Sequence, residues 1–196
     1  MSEKNKIISL INESIEIKKL LLENVSTLEL IEKVTNKCIS SINSGHKIIF
    51  AGNGGSYADA QHLSAEFIGK FILDRKPMPA VLLGANNSSV SAISNDYDFE
   101  YCYEREFKAI FSSGDILLVF STSGNSKNIL RLVETANILK CETFGFSGET
   151  GGNLNKICNC IKVQSNITAR IQECHILIGH IICEIVEEKI FGKKND

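Results

Sequence analysis

The sequence predicts an α/β protein, a three-layer αβα sandwich with a five-stranded parallel sheet, preceded by two N-terminal helices. Three observations carry this prediction. Short apolar runs alternate with helical stretches along most of the chain, the pattern of parallel strands joined by crossover helices. Two of the runs, Ile48–Phe50 and Ile116–Phe120, contain no polar residue, as expected of strands covered on both faces. Each is followed at once by a Gly- or Ser-rich loop, and open α/β sheets bind ligands outside the carboxyl ends of their strands.

The elements follow in order. Ile7, Ile8, Ile11, Ile15 and Leu20–Leu22 recur at helical spacing, which predicts a first amphipathic helix over about residues 3–24. Ser26 and Glu29 stand at capping-box spacing, so a second helix is expected to start there. It would carry Leu28, Ile31, Val34, Cys38 and Ile42 on one face and stop at Gly45. Two leading helices exceed what a small sheet needs for cover. The first therefore reads either as a subunit-packing element or as simple core cover.

The strand at Ile48–Phe50 runs into Gly52-Asn53-Gly54-Gly55-Ser56 and then into a helix. Strand, glycine turn and helix together aim backbone N–H groups and a positive helix end at an anion. A short strand at Ala80–Leu83 comes next, marked off by Pro77 and Pro79, then a polar link and a helix around Phe99–Phe111. The strand ending at Phe120 leads into Ser121-Thr122-Ser123-Gly124-Asn125-Ser126 and a helix through Leu139. Strands at Thr143–Phe146 and Cys160–Val163 flank a turn at Gly148–Gly152. The last helix, about Ala169–Phe191, is apolar nearly all round between Cys174 and Val186. A helix without a polar face is buried on most sides, which points to contact with another subunit.

Composition sets bounds on function. With 196 residues, 43% apolar and 22% charged, the chain has the profile of one soluble globular domain. A net charge of −2 argues against a nucleic-acid-binding face. Charges throughout the first 30 residues leave no signal-peptide core, and no apolar run reaches the ~20 residues of a membrane span. Seven cysteines without C-x-x-C spacing read as reduced thiols of a cytoplasmic protein.

Three groups of residues can carry chemistry. The hydroxyls of Ser121, Thr122, Ser123 and Ser126, with the N–H groups of a helix start, suit a phosphate; the plainer reading is that Ser126 caps the helix. His62 and Glu66 share a helix face and could be an acid/base pair, two ligands for zinc or a similar ion, or a surface ion pair. Gln172 and His180 enter the apolar last helix, but eight residues put them roughly 12 Å apart along its axis. His175 reads as a satisfied core residue. The glycine turn lacks the third small residue of a dinucleotide fingerprint, and no acidic residue ends the second strand.

Together these segments resemble the sugar isomerase (SIS) domain family, and within it the phosphoheptose isomerases. The matching motifs are A-G-N-G-G-S (51–56), D-A-Q-H-L-S-A-E (59–66), S-N-D-Y (94–97), S-T-S-G-N-S (121–126), G-x-x-G-G (148–152) and R-I-Q-E-x-H (170–175) with His180. The resemblance implies a single SIS domain over residues 1–196, with the helical segment 1–45 in oligomer packing. It implies a cytoplasmic homotetramer with active sites at subunit contacts. The implied reaction interconverts sedoheptulose 7-phosphate and D-glycero-D-manno-heptose 7-phosphate, the first step towards activated heptoses of bacterial surface glycans.

Carried over by motif, Ser121, Thr122, Ser123 and Ser126 would hold the phosphate, and Asn53, Gly54, Gly55, Ser56, Asn95 and Asp96 would line the sugar site. His62, Glu66, Gln172 and His180 would be zinc ligands, Glu66 and His180 also the acid/base pair, and Glu66 and Gln172 would reach the substrate. Where some relatives have Asp before R-I-Q-E, this chain has Ala169; where some have His after the glycine turn, it has Tyr57. A second class of function is a non-catalytic SIS protein that senses a phosphosugar or binds an initiator protein. Retention of both Glu66 and His180 favours the enzyme over it. An isomerase of another phosphosugar is a further alternative.

Overall fold

The computed structural model describes residues 1–192. Its sheet has five parallel strands in the order β2-β1-β3-β4-β5: β1 (Ile48–Gly52), β2 (Ala80–Leu82), β3 (Ile116–Phe120), β4 (Glu142–Ser147) and β5 (Asn159–Lys162). The helices are α1 (Glu3–Glu23), α2 (Val25–Asn43), α3 (Gly55–Ile68), α4 (Asn87–Asp96), α5 (Cys102–Ile110), α6 (Lys127–Ile138) and α7 (Thr168–Phe191). Single 3₁₀ turns stand at Phe99–Tyr101 and Leu154–Lys156.

Strand side chains alternate between two cores. Ile48, Phe50, Leu118, Phe120, Phe144, Phe146 and Ile161 join α2, α3 and α7 in one. Ile49, Ala51, Leu117 and Val119 join α5 and α6 in the other. Period-two alternation along doubly covered strands produces this split, and it fixes register because a one-residue slip would exchange the two faces. The expected three-layer sandwich is what forms.

Four details differ from the sequence reading. The link between α1 and α2 is the single residue Asn24, whose side chain accepts from Thr27 N at 3.1 Å, so Asn24 caps α2 and the Ser26/Glu29 box is not used. The expected polar link after β2 contains α4, capped by Asn86 and with no buried residue. Without a buried face, α4 has no apolar stripe for periodicity to detect. In α1 only Ile17 and Leu21 are buried, while Ile7, Ile8, Leu10, Ile11 and Ile15 are exposed. Core cover therefore does not account for its first three turns. In α7 most of the apolar surface is buried within the chain, against α2, α3 and the sheet; Ile181 and Ile185 stay partly exposed.

His175 is fully buried, edge-on to Phe120 and Phe146, with Nε2 3.3 Å from Ser147 O. Burial pushes its pKa down to about 4, against a smaller raising effect of that carbonyl. It is a core residue, as expected, but not a fully satisfied one: its Nδ1 is buried without a hydrogen-bond partner. All seven cysteines are free; Cys158 and Cys160 lie with their Sγ atoms 3.8 Å apart. Among the described residues, no helix is long and apolar enough to cross a membrane.

Candidate active site

The serine loop leaves β3 at the carboxyl edge of the sheet. Gly124 sits at φ +64°, and a Cβ there would collide with the Gly151 carbonyl, so only glycine lets the two loops nest. Leu154 N donates to Gly124 O at 2.9 Å and Asn153 N to Asn125 Oδ1 at 3.0 Å, which ties the loop to the 148–155 segment. Ser126 occupies the N-cap of α6 but makes no capping bond with its side chain. Its hydroxyl instead accepts from Ser121 Oγ at 3.2 Å. Ser126 thus does not cap α6; Ile129 N is served instead by Asn128 Oδ1 at 3.0 Å, and the N–H groups of Lys127 and Asn128 are without a side-chain partner.

The loop separates two clefts. Ser126 borders one of about 570 Å³ with Asn53, Gly54, Asp98, Glu100 and Lys127. Thr122 and Ser123 border another of about 290 Å³ with Glu149, Ser165, Asn166, Thr168 and Ile171. Asn53 is held by a reciprocal amide pair with Asn128, 2.9 Å in each direction, and Tyr103 OH donates to Gly52 O and, at 3.4 Å, to Asn53 Oδ1. Gly54 opens α3 at φ +55°. Ser56 is buried beneath the turn. Asn95 and Asp96 end α4, hydrogen-bonded to each other at 2.9 Å, and line a separate shallow depression rather than the cleft of Asn53.

Below the glycine turn, α3 and α7 run side by side in the same direction. Gly55 faces Gln172, whose amide Nε2 lies 2.5 Å from where a Gly55 Cβ would be, and Gly179 packs on Leu63. Absence of a side chain at both glycines is what brings the helices this close. Two turns on, His62 Nε2 lies 3.0 Å from His180 Nε2 and 3.2 Å from Glu66 Oε1. The ligand-capable atoms of His62, Glu66 and His180 all fall within 4.8 Å of one another. Gln172 stays at the Gly55 end, about 10 Å along the axis from His62. The structure therefore gathers His62, Glu66 and His180 in one place, with the Gln172 amide against Gly55 on the same pair of helices.

Two imidazole nitrogens and a carboxylate oxygen converging on one point match the donor set of a divalent ion such as zinc. The cluster is open on one side: the His62 side chain is 51% exposed and that of Glu66 20%. One turn before His62, Asp59 carries a carboxylate whose Oδ2 is buried without a partner; burial pushes its pKa up to about 6, partly offset by His62. Sequence reasoning did not single out Asp59. Its spacing from Gly55 and His62 was the available signal, since i+4 and i+7 positions share a helix face. Asp98, Glu100, Ser165 and Thr168 were also missed, because they border the clefts from irregular segments or a helix start.

Comparison with known proteins now adds to this geometry. The SIS domain matches residues 15–148. A phosphoheptose isomerase of Aneurinibacillus thermoaerophilus is 45% identical over 185 residues, 94% of this chain and 93% of that one. One from Clostridium acetobutylicum is 43% identical over 194 residues, 98% and 99% of the two chains. The solved structure of a phosphoheptose isomerase from Francisella tularensis has a TM-score of 0.90 at 32% identity, covering 96% of this chain and 100% of that one. The fold is accordingly that of a SIS domain. The chain belongs to the SIS domain family and, within it, to the phosphoheptose isomerases, a family of isomerase enzymes.

Proposed function

We propose that this chain interconverts sedoheptulose 7-phosphate and D-glycero-D-manno-heptose 7-phosphate, supplying the first step towards activated heptoses for lipopolysaccharide, capsule or another bacterial surface glycan. The observation that carries the reading is the convergence of Glu66 and His180, from helices far apart in sequence, on one open cluster. Aldose–ketose isomerisation moves a proton between C1 and C2 through an enediol(ate), which needs a base over that carbon pair and an acid at the oxygens. Glu66 takes the carbon proton and His180 serves the oxygens. Ser121, Thr122, Ser123 and Ser126 hold the phosphate with the α6 N–H groups. Asn53, Gly54, Gly55 and Ser56 shape the sugar site, and Asn95 and Asp96, which line a separate depression of this subunit, would join such a site across a subunit contact.

His62, Glu66 and His180 would hold a divalent ion, zinc by donor chemistry, and Gln172 would join as fourth ligand by turning its side chain along α7 away from Gly55. Such an ion, when bound, supplies Lewis-acid polarisation of the sugar oxygens. A carboxylate shared with a cation is a weaker base, so the two roles of Glu66 compete.

Glu66 lies eleven residues beyond Gly55, about 16 Å along α3 from the glycine turn. We place the active site between subunits of a homotetramer, with the helical segment 1–45 in its packing. The bare apolar face of α1 and the exposure of His62 support this placement. Residues 1–196 act as one SIS domain, and the unpaired cysteines suit a cytoplasmic setting.

The test is incubation with sedoheptulose 7-phosphate, with and without chelator, and detection of the aldose by NMR. Glu66→Gln is expected to abolish turnover while phosphosugar binding survives. Absence of product under every metal condition would favour a phosphosugar-binding or initiator-binding regulator. Product from another ketose phosphate alone would favour a different substrate.

A further inference from the structure

Arg75 and Glu187 form a buried ion pair outside the cluster, with side chains 2% and 1% exposed and Arg75 Nε 2.9 Å from Glu187 Oε1. Burying two charges costs more in desolvation than a simple pair returns, so hydrophobic residues would serve stability as well. Their remaining bonds indicate what the pair achieves. Arg75 Nη2 donates to the backbone carbonyl of Glu66 at 2.8 Å, and Nη1 lies 2.8 Å from Phe67 O and 3.0 Å from Gly69 O. These are the free carbonyls at the end of α3, where a cation is favoured.

Glu187 in turn accepts from Phe71 N at 3.0 Å, Ile72 N at 2.7 Å and Leu73 N at 2.8 Å. Burial alone would raise its pKa, but those three N–H groups and Arg75 outweigh it and hold the carboxyl below its usual value. Glu187 follows His180 by seven residues, so both lie on the same side of α7. Phe71, gripped through its N–H, lays its ring against His180 with centroids 5.6 Å apart.

We propose that the Arg75–Glu187 pair is a positioning device for the reaction, a clasp that locks α3 to α7 and so sets Glu66 against His180. Arg75 acts through the Glu66 backbone and Glu187 through the segment that carries Phe71. Neither reaches the cluster itself. The inference rests on the assignment of Glu66 and His180 to the chemistry. Arginine is required because its planar fork spans both helices at once, which the single ammonium of lysine cannot do.

The test compares Arg75→Lys, Glu187→Gln and the double variant Arg75→Met/Glu187→Leu, which leaves no unpaired charge. All are assayed beside the wild type at one common temperature, at least about 15 °C below the lowest melting midpoint among them, so that unfolding does not enter the rates. The expected result for all three is a kcat lowered about 10- to 100-fold, because displacement of reacting groups by ~1 Å has that effect. KM should stay within about twofold, since the serine loop is built on other elements. Zinc affinity, read by calorimetry on the metal-stripped protein, should fall about tenfold. Wild-type kcat and zinc affinity in Glu187→Gln and the double variant would overturn the clasp. So would a loss confined to KM. Glu66→Gln, run in parallel, separates the two ideas: full turnover there refutes the site assignment, whereas its inactivity beside active clasp variants refutes the clasp alone.

Discussion

His62 and His180 bring their Nε2 atoms to 3.0 Å across the α3–α7 contact, although 118 residues separate them in sequence. Two neutral rings satisfy that approach only if one donates to the other, whereas a shared cation satisfies both. His62→Ala is expected to weaken zinc binding about 100-fold, measured by calorimetry on chelator-treated protein. Unchanged affinity would remove His62 from the ligand set.

Ser126 fills the N-cap position of α6 without capping it, so its hydroxyl is expected to matter for ligand more than for fold. A hydrogen bond to a charged phosphate contributes about 1.5–3 kcal/mol. Ser126→Ala should therefore raise KM for sedoheptulose 7-phosphate about tenfold or more, with thermal stability changed by less than about 1 kcal/mol. The reverse pattern, a stability loss at constant KM, would return Ser126 to a capping role.

His175 predicts an acid limb in stability. Its folded pKa, pushed down to about 4 by burial, lies below the unfolded value of 6.5. The unfolded chain thus binds the proton first, and stability present above pH 6.5 is lost as pH falls towards 4. A shift of that size corresponds to about 3 kcal/mol. Denaturant unfolding at pH 7 and pH 4.5 should show the drop, and His175→Gln should reduce it. An unchanged pH slope in that variant would assign the acid limb to other groups.

The exposed face of α1 is expected to be covered in solution. Ile7 is 58% exposed and Ile11 55%, beside Ile8 and Ile15 on the same helix. Apolar patches of that extent on soluble proteins mark interaction surfaces. Ile7→Lys with Ile11→Lys should shift the particle seen by light scattering to a smaller species and lower turnover with it. A wild-type protein that runs as a monomer at full activity would refute both the assembly and the intersubunit site.

The sheet was legible in the sequence because its strands are covered on both faces. Runs such as Ile116–Phe120 admit no polar residue, and their loops carry Gly and Ser. Helix α4 was not legible, since none of its residues is buried and burial alone writes a period into a sequence. The start of α2 was misplaced because two possible caps, Asn24 and Ser26, stand two residues apart, and α1 ends so close that only Asn24 is free to serve.

For the site, i, i+4 spacing put His62 beside Glu66. That His180 joins them was not readable from spacing: it follows from an interhelical approach set by Gly55 and Gly179, which a sequence shows only as two small residues. Arg75 and Glu187 were invisible for a related reason. Each looks like an ordinary surface charge until the chain folds between them.

The side-by-side course of α3 and α7 also constrains how this chain can vary. Gly55 meets Gln172 and His62 meets His180, so the two helices keep step over two turns. An insertion or deletion of one residue in either helix between those contacts would rotate everything beyond it by about 100°. His180 would then leave the side of Glu66 while the glycine turn and serine loop stayed intact. Length in the segments 55–66 and 172–187 is accordingly as strictly determined as residue identity, whereas the loop between Gly69 and Pro79 can change length wherever Phe71–Arg75 keep their grip on Glu187.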